Sequence, residues 1–182
     1  IEAEGIEARV RYYGCPAEEG GAAKTYMVRE GLFDDVDLAI TWHPASFNGV
    51  DDAHSLANTR IDFTFTGKAA HAASAPELGR SALDAVELMN IGINYMREHM
   101  PDDARVHYAY LDAGGIAPNV VPAKATVRHL VRSRNLPGLA DLVARVHAIS
   151  EGAALMSGVR VDSSVFPCVP DLSGHRLLVE AY

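Results

Sequence analysis

The hydrophobic period of this chain switches repeatedly between residues 58 and 165, and this succession limits the possible folds more than any other feature. Side chains alternate between polar and apolar in four segments, predicted as strands: residues 60–67, 105–111, 123–133 and 159–165. Apolar side chains recur at helical spacing in two others, predicted as amphipathic helices: residues 81–99 and 139–156. The order is β-α-β-β-α-β, the ferredoxin-like arrangement, in which helices cover one face of a sheet.

The ends of the predicted helices carry their own signals. Ser81 is expected to cap the first helix, with Asp84 three residues on, and Gly158 is expected to end the second. A ferredoxin-like sheet has exposed edges that invite pairing with a second copy, so we expect this domain to self-associate. Ile91, Ile93 and Tyr95 widen the apolar stripe of the first helix and add a second possible contact.

A different pattern precedes this domain. Residues 8–14 and 37–42 are predicted as strands, and a short helix containing Tyr26 and Met27 ends at Gly31. A strand-helix-strand unit predicts two parallel strands of a larger α/β domain. The expected fold class is therefore α/β (α+β), with a complete domain inserted into a partial one. The predicted divisions are 1–57 for part of a catalytic domain, 58–165 for the insertion and 166–182 for the start of the return.

Composition excludes some classes of partner. The net charge of −8 over 182 residues argues against nucleic acid or an anionic membrane as the main partner. No apolar run approaches the length needed to span a membrane. Cys15 and Cys168, with no signal peptide, predict free thiols and a cytoplasmic location. Because the chain opens without Met and ends in a helical pattern, we expect it to be a piece of a larger protein.

Two adjacent glutamates, Glu18 and Glu19, lie in the stretch GCPAEEGG, just past the first predicted strand. In a loop both carboxylates can turn toward one centre, where one would bind a metal and the other take a proton from the metal-bound water. His43 follows the second predicted strand and would supply an imidazole at the same edge. The plainer alternative is a solvated helix N-terminus stabilised by its dipole.

A second group of polar residues belongs to the inserted domain. His71 follows the first strand in GKAAHAASAP, and Asn119 lies in the loop GGIAPNVVPAKA between two strands. Arg132 is on the next strand, so Asn119 and Arg132 are expected to address one substrate. Arg128 and Arg134 share its strand parity, so alternation does not choose among the three arginines. Taken singly, each of these residues is more often an ordinary turn or surface residue.

Three motifs in this order resemble one family: GCPAEEGGAAKTYMVREGLFDDVDLAITWHP, GKAAHAASAPELGRSALDAV and GGIAPNVVPAKA. They are similar to the amidohydrolase branch of the aminoacylase and glutamate-carboxypeptidase metallopeptidases. The resemblance implies Glu18 as general base, and Glu19 and His43 as ligands of a two-metal centre containing zinc or manganese. It implies His71 and Asn119 as residues that polarise the scissile carbonyl, with His71 reaching into the partner subunit's active site. Of the three arginines, it implies Arg132 as the group that binds the substrate carboxylate.

The activity implied by the resemblance is metal-dependent hydrolysis of an amide bond next to a free carboxylate, as in p-aminobenzoyl-glutamate or a related N-acyl amino acid. The inserted domain would be a lid and dimerisation domain that forms a homodimer, with a second, related type of chain as a further candidate partner. The family's upstream metal motif and C-terminal ligand histidine have no counterpart here, and neither Cys15 nor His175 replaces them. The chain alone is therefore expected to be inactive.

Two other functions compete with this one. A non-catalytic dimerisation and ligand-binding module would need none of the missing ligands. A glycosidase fits poorly, because its paired carboxylates lie across the substrate rather than next to each other in sequence.

Overall fold

The computed structural model describes residues 4–18, 20–50, 54–172, 174, 175, 177 and 180. The chain divides into two compact units, residues 1–43 and residues 44–182. No helix within the described ranges is long and apolar enough to cross a bilayer.

In the first unit the regular structure is helix α1, Ala23–Arg29. A turn leads into it, where the amides of Gly21 and Ala22 both donate to the carbonyl of Ala17 at 2.8 and 2.9 Å. The helix ends as the sequence predicts: Gly31 follows it with a left-handed φ of 77°, and its amide donates to the carbonyl of Val28. The prediction of a short helix with a glycine at its end is confirmed.

The strands predicted at 8–14 and 37–42 are wrong, since neither segment is a strand within the described part of this unit. Side chains, rather than a backbone ladder, hold the first of them. Arg11 forms an ion pair with Asp35, and the Tyr13 hydroxyl donates to the carbonyl of Leu32 at 2.9 Å. The hydrogen bond from Arg11 lowers the pKa of Asp35. Alternation predicts which face a side chain takes, but a strand also needs a neighbouring backbone to pair with.

The second unit contains a four-stranded antiparallel sheet with the strand order β2-β3-β1-β4. Two helices, α2 and α3, alternate with these strands. The strands and helices have these bounds, in chain order: β1 Ala57–Thr66, α2 Ala82–Met96, β2 Arg105–Asp112, β3 Lys124–Ser133, α3 Leu136–Ser157 and β4 Arg160–Val165. The predicted β-α-β-β-α-β order and the ferredoxin-like fold are confirmed. We call this part of the second unit the lid.

Strict alternation along β1 and β3 divides the sheet into two faces. Odd-numbered side chains of both strands are buried, and even-numbered ones are half-buried or exposed. The core face packs against the apolar stripes of α2 and α3, and its largest buried side chains include Phe63, Phe65, Ile61, Met89 and Ile93. The opposite face, which carries the even-numbered side chains, we call the open face. Because the side-chain period of a strand is two, one register fixes both faces.

The lid helices begin and end at the residues that the sequence marks. Ser81 accepts a hydrogen bond from the amide of Asp84 at 3.1 Å, which confirms the predicted cap of α2. Asn135 caps α3 in the same way through the amide of Gly138. Gly158 ends α3 with a left-handed φ of 64°, as predicted.

Backbone pairing continues past the end of β4. The amide of Phe166 donates to the carbonyl of Arg60 at 2.9 Å, and Asn58 and Val169 exchange two hydrogen bonds of 2.8 Å. Cys168 lies in this extension as a free thiol, and burial raises its pKa. Cys15 is also free. The divisions predicted at 57/58 and 165/166 remain predictions.

A short ribbon joins two loops at the end of the sheet where β1 ends and β3 begins. Lys68 and Arg80 exchange two backbone hydrogen bonds of 2.9 Å, and the amide of Val121 donates to the carbonyl of Ala70 at 2.9 Å. Gly67 starts the ribbon, and a Cβ at this position would lie 2.0 Å from the carbonyl oxygen of Arg80. A residue larger than glycine therefore cannot occupy position 67 unless the backbone moves.

One buried side chain in the core is polar and unpaired. His129, in the middle of β3, has 0% exposure, and neither ring nitrogen has a hydrogen-bond partner. Its ring packs edge-on to Phe63, with centroids 5.7 Å apart, and lies 5.5 Å from the ring of Tyr108. Burial, with a smaller contribution from Arg97, lowers the pKa of His129 to about 4. The imidazole is therefore neutral in the folded lid.

We predict that lid stability falls as the pH drops from about 6.5 toward 4, because the unfolded chain binds a proton at His129 that the folded chain does not. Between pH 7 and pH 5 this should cost about 2 kcal/mol. His129→Phe should remove that part of the pH dependence, and His107→Phe, at an exposed position of β2, should keep it. Urea unfolding followed by far-ultraviolet circular dichroism measures both variants. Parallel pH profiles for wild type and His129→Phe would contradict the assignment.

We also predict that Gly67→Ala destabilises the lid by about 1–3 kcal/mol, since the added methyl group forces the ribbon backbone apart. Gly152→Ala is the matched control. Gly152 lies within α3 with no atom near its would-be Cβ, so this change should stabilise by about 0.5–1 kcal/mol. Hydrogen exchange at the amides of Lys68 and Arg80 should rise in the first variant only. An unchanged exchange rate there would show that the ribbon absorbs the methyl group.

Candidate functional site

Glu18 lies in the turn before α1 and is exposed. Two residues with left-handed backbone flank this turn, Ala17 with a φ of 53° and Ala22 with a φ of 48°. Residues other than glycine seldom adopt that conformation, and when they do it is often at functional sites. Glu19, predicted as a metal ligand, lies outside the described residues.

His43 is the last residue of the first unit and is exposed. Within the described ranges, no group of three or more His, Cys, Asp or Glu residues lies close enough to hold a metal ion. The described residues therefore do not make up a metal site by themselves. The roles of Glu19 and His43 as ligands remain predictions.

His71 is exposed at the end of the ribbon strand that Gly67 starts, and its ring is held in one orientation. Its Nδ1 accepts hydrogen bonds from the amides of Ala73 and Ser74, both at 3.2 Å. An accepting Nδ1 carries no proton, so the neutral ring carries its proton on Nε2. Nε2 is thus a donor suited to a carbonyl oxygen.

Asn119 is brought next to His71 by the ribbon. The backbone carbonyl oxygen of Asn119 accepts a hydrogen bond from the amide of Ala72 at 2.9 Å, and Val120 forms a β-bridge with His71. Both residues are exposed at the same end of the lid. The structure therefore brings together two of the predicted substrate-binding residues that lie far apart in sequence.

Arg132 lies at the other end of the sheet. The strand register places Thr66 opposite Lys124 at the ribbon end, and Asn58 opposite Arg132 near the far end. At roughly 3.3 Å per residue, Arg132 is about 26 Å along β3 from Lys124. Within one chain the strand between Asn119 and Arg132 runs away from the loop, so the two residues lie about a strand's length apart. That they address one substrate remains a prediction.

The three arginines that alternation could not separate have different partners. Arg128 makes a two-pronged ion pair with Asp62, with nitrogen–oxygen distances of 2.6 and 2.7 Å. Arg134 binds Asp103 at 2.5 Å. Arg132 has no hydrogen-bond or ion-pair partner among the residues that the structure describes, which leaves its guanidinium open to a ligand.

Sequence reasoning missed a further cation beside Arg132. Arg60 lies on β1 with its guanidinium carbon 4.0 Å from the centre of the Phe166 ring. Its Nε is covered by protein and has no acceptor in the described structure. The signal in the sequence was its even-numbered position in an alternating strand, but Phe166 lies more than a hundred residues away, so no local pattern linked them.

Comparison with known proteins identifies the family of the lid. The family model described as the peptidase dimerisation domain matches residues 56–155. One of the two subunit types of the p-aminobenzoyl-glutamate hydrolase of Escherichia coli is 52% identical over 89% of this chain and 34% of its own length. The other subunit type of that hydrolase, in the same species, is 32% identical over 87% of this chain and 37% of its own length.

A solved structure is also similar. The aminobenzoyl-glutamate utilization protein of Klebsiella pneumoniae superposes with a TM-score of 0.68 and 27% identity, covering 91% of this chain and 43% of that one. The chain thus spans about a third of the length of the curated relatives named above. The resemblance inferred from the three motifs is confirmed, and the chain belongs to the peptidase dimerisation domain family.

Proposed function

We propose that the protein containing this chain is a metal-dependent amidohydrolase that splits an N-acyl amino acid at an amide bond next to a free carboxylate. The best candidate substrate is p-aminobenzoyl-glutamate. The observation that carries this proposal is the identity of more than half of the aligned residues with an enzyme named for that hydrolysis. The free guanidinium of Arg132 supports it, because a planar guanidinium matches the two oxygens of a carboxylate.

In this proposal Glu18 is the general base. Its carboxylate would take a proton from the attacking water and pass it to the leaving amine. Glu19 and His43 would be ligands of a divalent metal centre, with two ions and zinc or manganese as the expected metals. That the isolated chain is inactive, and that the protein is cytoplasmic, remain predictions.

The lid would supply the groups that bind the substrate. The Nε2 proton of His71 and the side-chain amide of Asn119 are the donors proposed for the scissile carbonyl oxygen. Arg132 is proposed to hold the carboxylate next to the scissile bond. Because these groups lie at opposite ends of one lid, a single lid would offer only half of this set to any one substrate.

We infer that the lid forms a homodimer through the edge of β2. This edge exposes Tyr108, Tyr110 and Leu111, whereas β4 exposes mainly Arg160, Asp162 and serines, and charged side chains discourage edge pairing. Ile93 makes no such contact, because it is fully buried in the core, contrary to the prediction that it widens the outer stripe. Ile91 and Tyr95 are exposed as predicted.

Antiparallel pairing of two β2 strands would bring the separated groups together. The start of β2 in one copy would then lie beside the end of β2 in the other. Arg132, opposite Arg105 at the start of β2, would come near the partner's loop that holds Asn119. Measured across the strands, β3 of one copy and β2 of the partner would be two strand spacings apart, about 10 Å. Arg132 and the pair His71–Asn119 would therefore serve one substrate from different subunits.

A non-catalytic dimerisation and ligand-binding module is the second candidate, and the match of residues 56–155 to the peptidase dimerisation domain favours it for this chain by itself. Similarity to both subunits of one hydrolase also supports pairing with a second, related type of chain. Hydrolysis of p-aminobenzoyl-glutamate by the complete protein decides between enzyme and module.

In the complete enzyme we predict that Glu18→Gln lowers kcat by about 10²–10⁴-fold without changing metal content, since the amide cannot accept the proton. Glu19→Gln should instead lower the bound metal, measured by elemental analysis of the purified protein. If both variants lose metal to the same extent, or neither does, this division of roles is wrong.

Dimer formation should depend on the β2 edge. Leu111→Lys would place a cation near the partner's Arg105 and remove apolar contact, so we predict that it raises the dimer dissociation constant at least roughly tenfold. Val165→Lys makes the same change at an exposed position of β4 and should have little effect. Sedimentation velocity over a concentration series measures both. A larger effect of Val165→Lys would move the interface to the β4 edge.

A further inference from the structure

The open face of the lid is basic, although the chain as a whole carries a net charge of −8. Strand parity and register place the following cations on this face: Arg60, Arg105, Lys124, Arg128, Arg132 and Arg160. The acidic side chains placed on it by the same register are Asp62, Asp112 and Asp162. This excess of positive charge favours an anionic ligand over the sheet.

Each of these three acids already has a partner. Asp62 binds Arg128, and Asp162 binds Arg160 at 3.1 Å. Asp112, at the ribbon end of the sheet, accepts a hydrogen bond from the amide of Gly114 at 2.8 Å. Arg60, Arg105 and Arg132 have no carboxylate partner in the part of the chain that the structure describes. These three, which we call the arginine patch, lie at the end of the sheet where β1 begins and β3 ends.

The members of the patch are close neighbours. Arg105 is directly opposite Arg132 on β2, which places their Cβ atoms about 5 Å apart. Arg60 is opposite Leu130, so it is a diagonal neighbour of Arg132 at about 7–8 Å. Like charges at such distances repel each other, and a bound anion would relieve that repulsion.

Arg60 is held in place more firmly than an ordinary surface arginine. Its guanidinium stacks on the Phe166 ring. Two hydrogen bonds hold the Phe166 backbone: its amide donates to the carbonyl of Arg60, and its carbonyl accepts from the Thr59 hydroxyl at 3.0 Å. Since Nε is covered without an acceptor, the donors that remain for a ligand are the two terminal nitrogens. A stacked, unpaired guanidinium is pre-organised to bind a carboxylate.

We propose that Arg60 forms a second carboxylate subsite beside Arg132, which binds the side-chain carboxylate of an acidic amino acid while Arg132 holds the carboxylate next to the scissile bond. This inference rests on the proposed function, and it specifies the substrate class: the amino acid released is dicarboxylic. Two cations at diagonal positions of one sheet face match the side-chain carboxylate and the α-carboxylate of one dicarboxylic amino acid.

Arg105 is the other candidate for this role, and its contacts argue against it. Its Nη1 donates to the backbone carbonyls of Asp102 and Ala104 at 2.5 and 2.6 Å. These bonds hold the guanidinium at the start of β2, at the margin of the sheet. Arg60 has no such tether and lies on β1, an interior strand of the sheet.

The experiment compares p-aminobenzoyl-glutamate with p-aminobenzoyl-glutamine in the complete, metal-loaded enzyme, because the two differ only in the side-chain carboxylate. Wild type should prefer glutamate at least tenfold in kcat/KM. Arg60→Met should lower kcat/KM for the glutamate substrate roughly 10- to 100-fold and lower it much less for the glutamine substrate, so that the preference disappears. Arg60→Lys should retain part of the preference.

Three variants serve as controls. Arg132→Met should lower kcat/KM for both substrates, since both carry the carboxylate next to the scissile bond. Arg160→Met removes an arginine from the same face at the ribbon end and should leave both rates unchanged. Arg105→Met should leave the preference in place. A preference lost in Arg105→Met and kept in Arg60→Met would overturn the assignment, as would equal losses on both substrates in Arg60→Met.

Failure of this inference can be told apart from failure of the proposed function. Equal hydrolysis of both substrates by wild type would overturn the second subsite and leave the amidohydrolase proposal standing. If wild type hydrolyses neither, the proposed function fails, and binding of free glutamate against free glutamine, measured by calorimetry, still tests Arg60. Binding of glutamate that is no tighter than that of glutamine, or that is unchanged in Arg60→Met, would overturn the subsite.

Discussion

The backbone register between β1 and β3 determines nearly every other feature of the lid. Ala57 lies opposite Ser133 and Thr66 opposite Lys124, with no slip between them. A shift by one residue would turn Phe63 and Val127 outward and bring arginines of the open face under the helices, where unpaired charge is very costly. The apolar residues that bury the core therefore also hold the cationic residues of the opposite face in place. The core and the candidate site depend on the same pairing.

Much of the lid followed from sequence because its signals are local. The strand alternation, the two helical stripes, the Ser81 cap and the Gly158 terminator each involve residues within a few positions of one another, and each lies where expected. The strands predicted at 8–14 and 37–42 failed because strand formation depends on a partner that the segment itself does not specify. A polar–apolar alternation is compatible with a segment held by side chains, as Arg11 and Asp35 show.

The candidate site was predicted less completely, because its properties depend on residues distant in sequence. Arg128 and Arg132 have the same parity and similar neighbours, and what separates them is Asp62, 66 positions from Arg128. Phe166 affects Arg60 in the same way, although helices α2 and α3 and strands β2, β3 and β4 lie between them in the sequence. His129 could be recognised as a core position from alternation, but not as a neutral imidazole without partners. The resemblance to a family supplied the proposed roles of His71, Asn119 and Arg132, but it did not supply their relative positions.

Those positions change what dimerisation means for the proposed enzyme. His71 and Asn119 are joined through the ribbon, while Arg132 is a strand's length away, so one lid would present the groups proposed for the carbonyl at one end and the group proposed for the carboxylate at the other. The proposed two-fold axis beside β2 would place unlike ends of two lids together, which a single copy cannot do whatever its side chains. Separated lids would keep their fold and keep Arg132, and would lose only the donors that come from the partner. In this arrangement the interface between the two copies would complete the site. Pairing with a second copy would also cover the β2 edge strand, which exposes Tyr108, Tyr110 and Leu111 in a single lid.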